Sequence, residues 1–178
     1  MVQLSKLKIT FKKEVYMLKQ MRDEDFIVSK TDLKGRITYC NQIFMDMAEY
    51  SEDELLGKPH SIIRHPDMPK AVFRYLWETI PKKQEVFAYV INKGKNGNDY
   101  WVYANITATL DDRGNIVDYY SVRRRPNPKA LEVIIPLYKK MVSVEKSSGV
   151  DASFKVLTDI LQEKGVTYDE LIISLQDQ

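Results

Sequence analysis

The sequence predicts an α+β domain in which a five-stranded antiparallel sheet carries short helices on one face. Three observations predict it. Segments with period-two alternation come first as a pair and later as a trio, with helix-period segments between them. The turns inside the pair and the trio carry the Gly and Asx residues that tight hairpins require. Strands and helices do not alternate one for one, which excludes a parallel doubly wound sheet.

The elements follow in order. Leu4, Leu7, Phe11, Val15 and Leu18 recur at three- and four-residue steps and predict a helix over 4–21. Leu7, Ile9 and Phe11 also alternate with Lys8, Thr10 and Lys12, so a strand at its start stays open. Phe26–Lys30 and Arg36–Tyr39 form a hairpin through Asp32-Leu33-Lys34-Gly35. Ile43, Phe44, Met47 and Tyr50 share a helix side, and Ser51 with Glu54 reads as a capping box. Ala71, Phe73, Leu76, Trp77 and Ile80 predict a helix ended by Pro81. Strands follow at Glu85–Asn92, Asp99–Thr109 and Asn115–Arg124. The tail is helical, with Pro136 kinking it or setting its start, a joint at Ser147-Ser148-Gly149, a stop near Gly165 and a last capped helix from Thr167. The layout is a flanking helix in 1–25, a sheet-bearing domain in 26–126 and a helical extension in 127–178.

Composition narrows the function classes. Lys and Arg number 27 against 25 Asp and Glu, for a net charge of +2. That balance, with one short basic cluster at Arg123-Arg124-Arg125, argues against nucleic acid. The single cysteine, Cys40, cannot form an internal disulfide and suits a reducing cytoplasm. No run approaches the ~18 apolar residues that would span a bilayer. The expectation is a cytoplasmic protein with no direct membrane insertion.

Chemistry concentrates in Ser61–Pro69, which reads Ser-Ile-Ile-Arg-His-Pro-Asp-Met-Pro. Both histidines, His60 and His65, fall in or beside it. Arg64 suits diphosphate or carbonyl oxygens, although Asp67 capping the next helix and pairing with Arg64 would explain the same residues. His60 reads as a surface or supporting residue. Alternation puts Val86, Ala88, Val90 and Asn92 on one face, matched by Val102, Ala104 and Ile106. These would make an apolar floor for a flat guest. Asn92 is an awkward strand residue unless a buried partner satisfies it. Phe73 and Trp77, one helical turn apart, read equally as core or as a wall of the site. Two histidines without a Cys or acidic cluster make a poor metal site, and no catalytic pair suggests an enzyme.

These residues, together with Asn41, Phe44, Gly57-Lys58-Pro59-His60, Arg64-His65-Pro66-Asp67-Met68-Pro69, Tyr100-Trp101-Val102 and Ser121-Val122-Arg123, resemble the PAS domain family. More narrowly, they resemble the FAD-binding sensory modules of bacterial aerotaxis receptors and related energy-taxis proteins, over about 26–142. The resemblance implies the PAS fold, non-covalent FAD and redox sensing. It implies flavin-holding roles for Arg64, His65 and Asp67, with Asn41 and Phe73 near the pocket. Ile91–Gly97 further resembles the strand-turn of flavin-binding LOV domains, where the Asn bonds the pyrimidine edge, a role falling to Asn92. The chain departs from the pattern at Val86, where flavin-binding members carry Trp, and no Cys occupies the photoactive LOV position. Two alternatives stay open: haem held through His65, and a cofactor-free module that dimerises or scaffolds. The expected output is in trans, to a membrane chemoreceptor or another chemotaxis protein, with a homodimer possible in principle.

Overall fold

The structure is a computed structural model and describes residues 18–177. A hairpin of β1 (Ile27–Thr31) and β2 (Ile37–Cys40) leads into α1 (Gln42–Ala48) and α2 (Glu52–Leu55). A 3-10 turn, His60–Ile63, precedes α3 (Lys70–Thr79), and a second, Ile80–Lys82, closes it at Pro81. Then come β3 (Val86–Asn92), β4 (Tyr100–Leu110), β5 (Ile116–Arg124), α4 (Pro128–Lys164) and α5 (Tyr168–Gln176). The sheet order is β2-β1-β5-β4-β3, antiparallel throughout. This is the five-stranded α+β architecture expected, with strand ends moved by one residue.

Local chemistry sets the turns and caps. Gly97, at φ +87, turns β3 into β4, a backbone region that side chains disfavour. Gly94 is required by closeness, since a Cβ there would meet the Asn98 carbonyl oxygen at 2.5 Å. The Glu54 carboxylate accepts the Ser51 backbone N–H at 3.1 Å, as the predicted capping box requires.

The β3–β4 register pairs Val86 with Ile106, Ala88 with Ala104 and Val90 with Val102, so the expected floor residues do share a face. Helices α1 and α2 lie on that side, where Phe44 and Leu55 pack with Ile27, Ile37 and Val102, and α3 faces it through Phe73, Leu76 and Trp77. The extension adds a layer that the sequence did not place. Its Ile134, Tyr138, Met141 and Ile172 bury Tyr89, Ile91, Trp101 and Tyr103 on the opposite face. Tyr138 Oη donates to the Tyr89 carbonyl at 2.9 Å. Strand β3 is a sheet edge, and this layer covers it, which removes a site of unwanted strand pairing.

Two expectations for the tail are corrected. Of the two readings of Pro136, the start is corrected: it lies inside α4, which begins at Pro128 behind Asn127, whose side chain accepts the Lys129 N–H. Buried Ile134, Ile135 and Tyr138 hold the proline inside the helix. The joint is one residue long: Ser147 and Ser148 are helical, and only Gly149, at φ 88 and ψ 175, breaks α4 into arms 128–148 and 150–164. The helix expected over 4–21 lies outside the described residues up to 17, and 18–25 is bend, turn and irregular chain.

Candidate cofactor cavity

A cavity of about 280 Å³ lies between the sheet, the loop from His60 to Arg64 and α3. That is the lower end of the ~300–1,000 Å³ usual for small-molecule sites, and suits one ring system. Val90, Ala104 and Ile106 form its floor, while Phe73, Leu76 and Trp77 line it from α3. Ala104 leaves the middle of the floor low.

The loop reaches the cavity because its backbone docks on the edge strand. Arg64 and Asn92 form an isolated antiparallel bridge, and Lys93 N–H donates to the Ile63 carbonyl at 2.8 Å. Met68 Sδ accepts the Ile91 N–H at 3.4 Å. The Arg64 guanidinium then lies 4.0 Å over the ring of Phe73, a cation–π contact at the rim. Trp77, 46% exposed, meets Tyr119 edge-to-face at 5.4 Å, making an aromatic mouth rather than core.

Four of the seven sequence-predicted site residues, Arg64, Phe73, Trp77 and Asn92, line the cavity. Asn41, His65 and Asp67 do not. Asn41 is the N-cap of α1: its Oδ1 accepts Phe44 N–H at 3.1 Å and Val28 N–H at 3.0 Å, and its Nδ2 donates to the Phe26 carbonyl. These bonds cap α1 and tie it to the chain at the start of β1. His65 turns away, with Nε2 3.0 Å from Asp99 Oδ2 and Nδ1 accepting the Asp67 N–H. It brackets the loop to the start of β4 and is not aimed at a cavity ligand, which removes the geometry that haem ligation would need. The Asp67 side chain is 65% exposed. Nor does Asp67 cap α3, because a carboxylate from the extension, Glu145, accepts the N–H groups of Lys70 and Ala71.

Polar residues outside the predicted set also line the cavity, among them Ser29, Ser121 and Arg123, together with His60, which the sequence suggests only as a surface or supporting residue. His60 is half-buried and stacks on Phe44 at 5.8 Å. Burial, reinforced by the charges of Arg123 and Arg64, holds its imidazole well below the usual histidine range, so it is neutral. Its Nε2 accepts from Arg123 Nη2 at 2.6 Å, which also donates to Ser29 Oγ at 2.8 Å. The available signal was strand alternation. Arg123 and Ser121 share a face of β5, while Arg124 and Val122 occupy the other.

Three buried groups in this lining have no partner: Asn92 Nδ2, Ser121 Oγ and Arg123 Nη1. All can donate. Each unsatisfied buried group costs ~1–3 kcal/mol, and a buried cation without a carboxylate costs several more. A planar guest with an acceptor edge would offset those costs while its faces meet the apolar floor and wall. The donor set and the flat floor fit a flavin ring.

Comparison with known proteins bears on the same region. Residues 37–123 match the family model described as PAS fold. The chain is 39% identical over 121 residues to the aerotaxis receptor of Escherichia coli strain K12, covering 68% of the chain and 24% of that protein. It is 28% identical over 97 residues to a nitrogen fixation regulatory protein of Klebsiella pneumoniae, covering 54% and 20%. The chain thus spans only a quarter or less of these relatives. Among solved structures, the light state of the blue-light photoreceptor Aureochrome1 LOV superposes with a TM-score of 0.55 at 20% identity, covering 70% of this chain and 94% of that one. A light-oxygen-voltage domain studied with a flavin analogue also gives 0.55, at 19% identity, covering 74% and 95%.

Proposed function

The chain carries a PAS domain, and on that premise we propose that it is a redox or energy-taxis sensor that holds FAD in the cavity and signals to a chemotaxis partner. The observation that carries this reading is the set of three unpartnered buried donors, Asn92 Nδ2, Ser121 Oγ and Arg123 Nη1, above an apolar floor. Bound flavin supplies reversible electron uptake, which changes charge and protonation at its polar edge. The chain's part is to bind that edge through the three donors, exclude water from the ring faces and keep the guest between the sheet and α3. Similarity to an aerotaxis receptor supports the sensory class, and similarity to LOV domains supports the fold.

Helix α3 is the natural route outward. Phe73, Leu76 and Trp77 meet the cavity, while Ala71 and Arg74 meet the extension through Glu145 and Asp151. A guest that changes charge alters the first contacts, and the second set passes the change to α4. A membrane chemoreceptor or another chemotaxis protein that favours one arrangement, or a second copy of this chain, would convert it into signal. Among the described residues no helix is long and apolar enough to cross a membrane.

The test is the absorption spectrum of the freshly purified full chain, with the cofactor extracted and identified. A flavin spectrum with FAD in near-stoichiometric amount is expected, and Asn92→Ala should lower the retained FAD severalfold. Colourless protein that cannot be loaded with FAD would replace this reading with the cofactor-free interaction module.

A further inference from the structure

One end of the cavity differs electrostatically from the rest. Arg123 is only 5% exposed, with the Phe44 ring 5.2 Å from its guanidinium carbon. Both acceptors it meets, Ser29 Oγ and His60 Nε2, are neutral, and Nη1 has no partner. Ser121 Oγ, on the same strand face, is likewise unpartnered. Lys34, Arg64 and Arg123 are the cations of the lining, which includes no Asp or Glu among the described residues. His60 is neutral and the remaining titratable groups facing the cavity are the phenols of Tyr119 and Tyr120. Burial pushes Arg123 down to about 10, which leaves it charged at neutral pH.

A bracket between two neutral acceptors needs only a neutral donor. Burying a full charge to make one is unfavourable unless something answers the charge. We propose that Arg123, held in place by His60 and Ser29 and aided by Ser121, is an anion subsite for a planar heteroaromatic guest whose acceptor edge is anionic or gains negative charge on reduction. This rests on the reading of the cavity as a cofactor site. Arg123 then does more than retain the guest: it favours the more negative of the guest's two forms and so sets its potential. His60 is a positioning residue, fixing which guanidinium nitrogen faces the space.

The experiment has two arms, both on the full chain. In the flavin-loaded protein, reductive titration gives the midpoint potential. Arg123→Gln should weaken the relative hold on the reduced form about tenfold or more, a shift of about 30 mV to more negative values for two electrons; Arg123→Lys should recover most of it. An unchanged potential in Arg123→Gln overturns the proposal. In the flavin-free protein, 1-naphthoate and its neutral isostere 1-naphthamide are the probes, read by thermal shift and titration. The wild type should prefer the carboxylate about tenfold, Ser121→Ala should reduce that preference, and Arg123→Gln should abolish it. Equal binding of the two probes, or binding of neither, overturns the subsite. If Arg123→Gln does not fold, the wild-type preference and its reduction in Ser121→Ala decide. Failure of the chain to take up FAD removes the flavin reading alone, because the second arm needs no flavin.

Discussion

The Glu145 carboxylate accepts the backbone N–H of Lys70 at 3.2 Å, across 75 residues of sequence. The helix that walls the cavity is therefore capped from outside the sheet-and-helix domain. Pro69 occupies the N-cap position and its side chain has no acceptor, so α3 depends on α4 for this stabilisation. Glu145→Ala should destabilise the chain by about 1 kcal/mol, the usual cost of a lost cap. Urea denaturation would measure it, and amide exchange should quicken selectively at 70–72. No change in either measurement would mean that the contact has no energetic weight.

Asn41 and Asp67 should separate structural residues from binding ones. Asn41→Ala removes three hydrogen bonds that join α1 to β1 and should cost about 1–2 kcal/mol. FAD retained per folded molecule should stay near the wild-type value. Asp67→Asn, on an exposed side chain, should change neither stability nor FAD content beyond experimental scatter. A large fall in FAD for Asp67→Asn would mean that the loop closes differently around its guest.

His60 makes stability fall in mild acid. Its folded pKa lies well below the ordinary 6.5, mainly through burial, so the folded state binds the proton less well than the unfolded chain. Its contribution is fully present above about 6.5. It is lost as pH falls from there toward the folded value. His60→Gln should flatten that part of the stability profile. Imidazole resonances assigned to His60 should stay in the neutral position from pH 8 down through 6.5; a normal titration would refute the neutral assignment.

Removing 127–178 should impair solubility. The extension buries Tyr89, Ile91, Trp101 and Tyr103 and covers the β3 edge. A chain ending at Pro126 would expose an aromatic patch beside unpaired strand groups, conditions that favour self-association. Light scattering or size-exclusion chromatography should show oligomers or aggregates, and a well-behaved monomer would contradict this.

The hairpins were legible because Asp32–Gly35, Lys95–Asn98 and Asp111–Asn115 state their turn geometry locally, and alternation carried the β3–β4 floor. The lining of the cavity was legible where it followed the same periods, as at Asn92, Phe73 and Trp77. Asn41 and His65 fall outside the lining because their polar atoms hold neighbouring segments in place, Asn41 through backbone groups and His65 through Asp99 and the Asp67 N–H. The role of Arg123 was missed, and His60 reads only as a surface or supporting residue, for another reason. Their importance lies in a contact across 63 residues, and Arg123 sat within a run of three arginines that reads as surface charge. The Glu145 cap is equally non-local, and no pattern around Lys70 announces it.

The edge-to-face pair of Trp77 and Tyr119 at the mouth has a practical consequence. The chain has two tryptophans, and the other, Trp101, is buried beneath the extension beside Tyr138 on the far side of the sheet. A colourless guest entering between floor and wall perturbs the emission of one indole and leaves the second as an internal reference. Occupancy by such a guest can thus be followed optically in the unlabelled molecule.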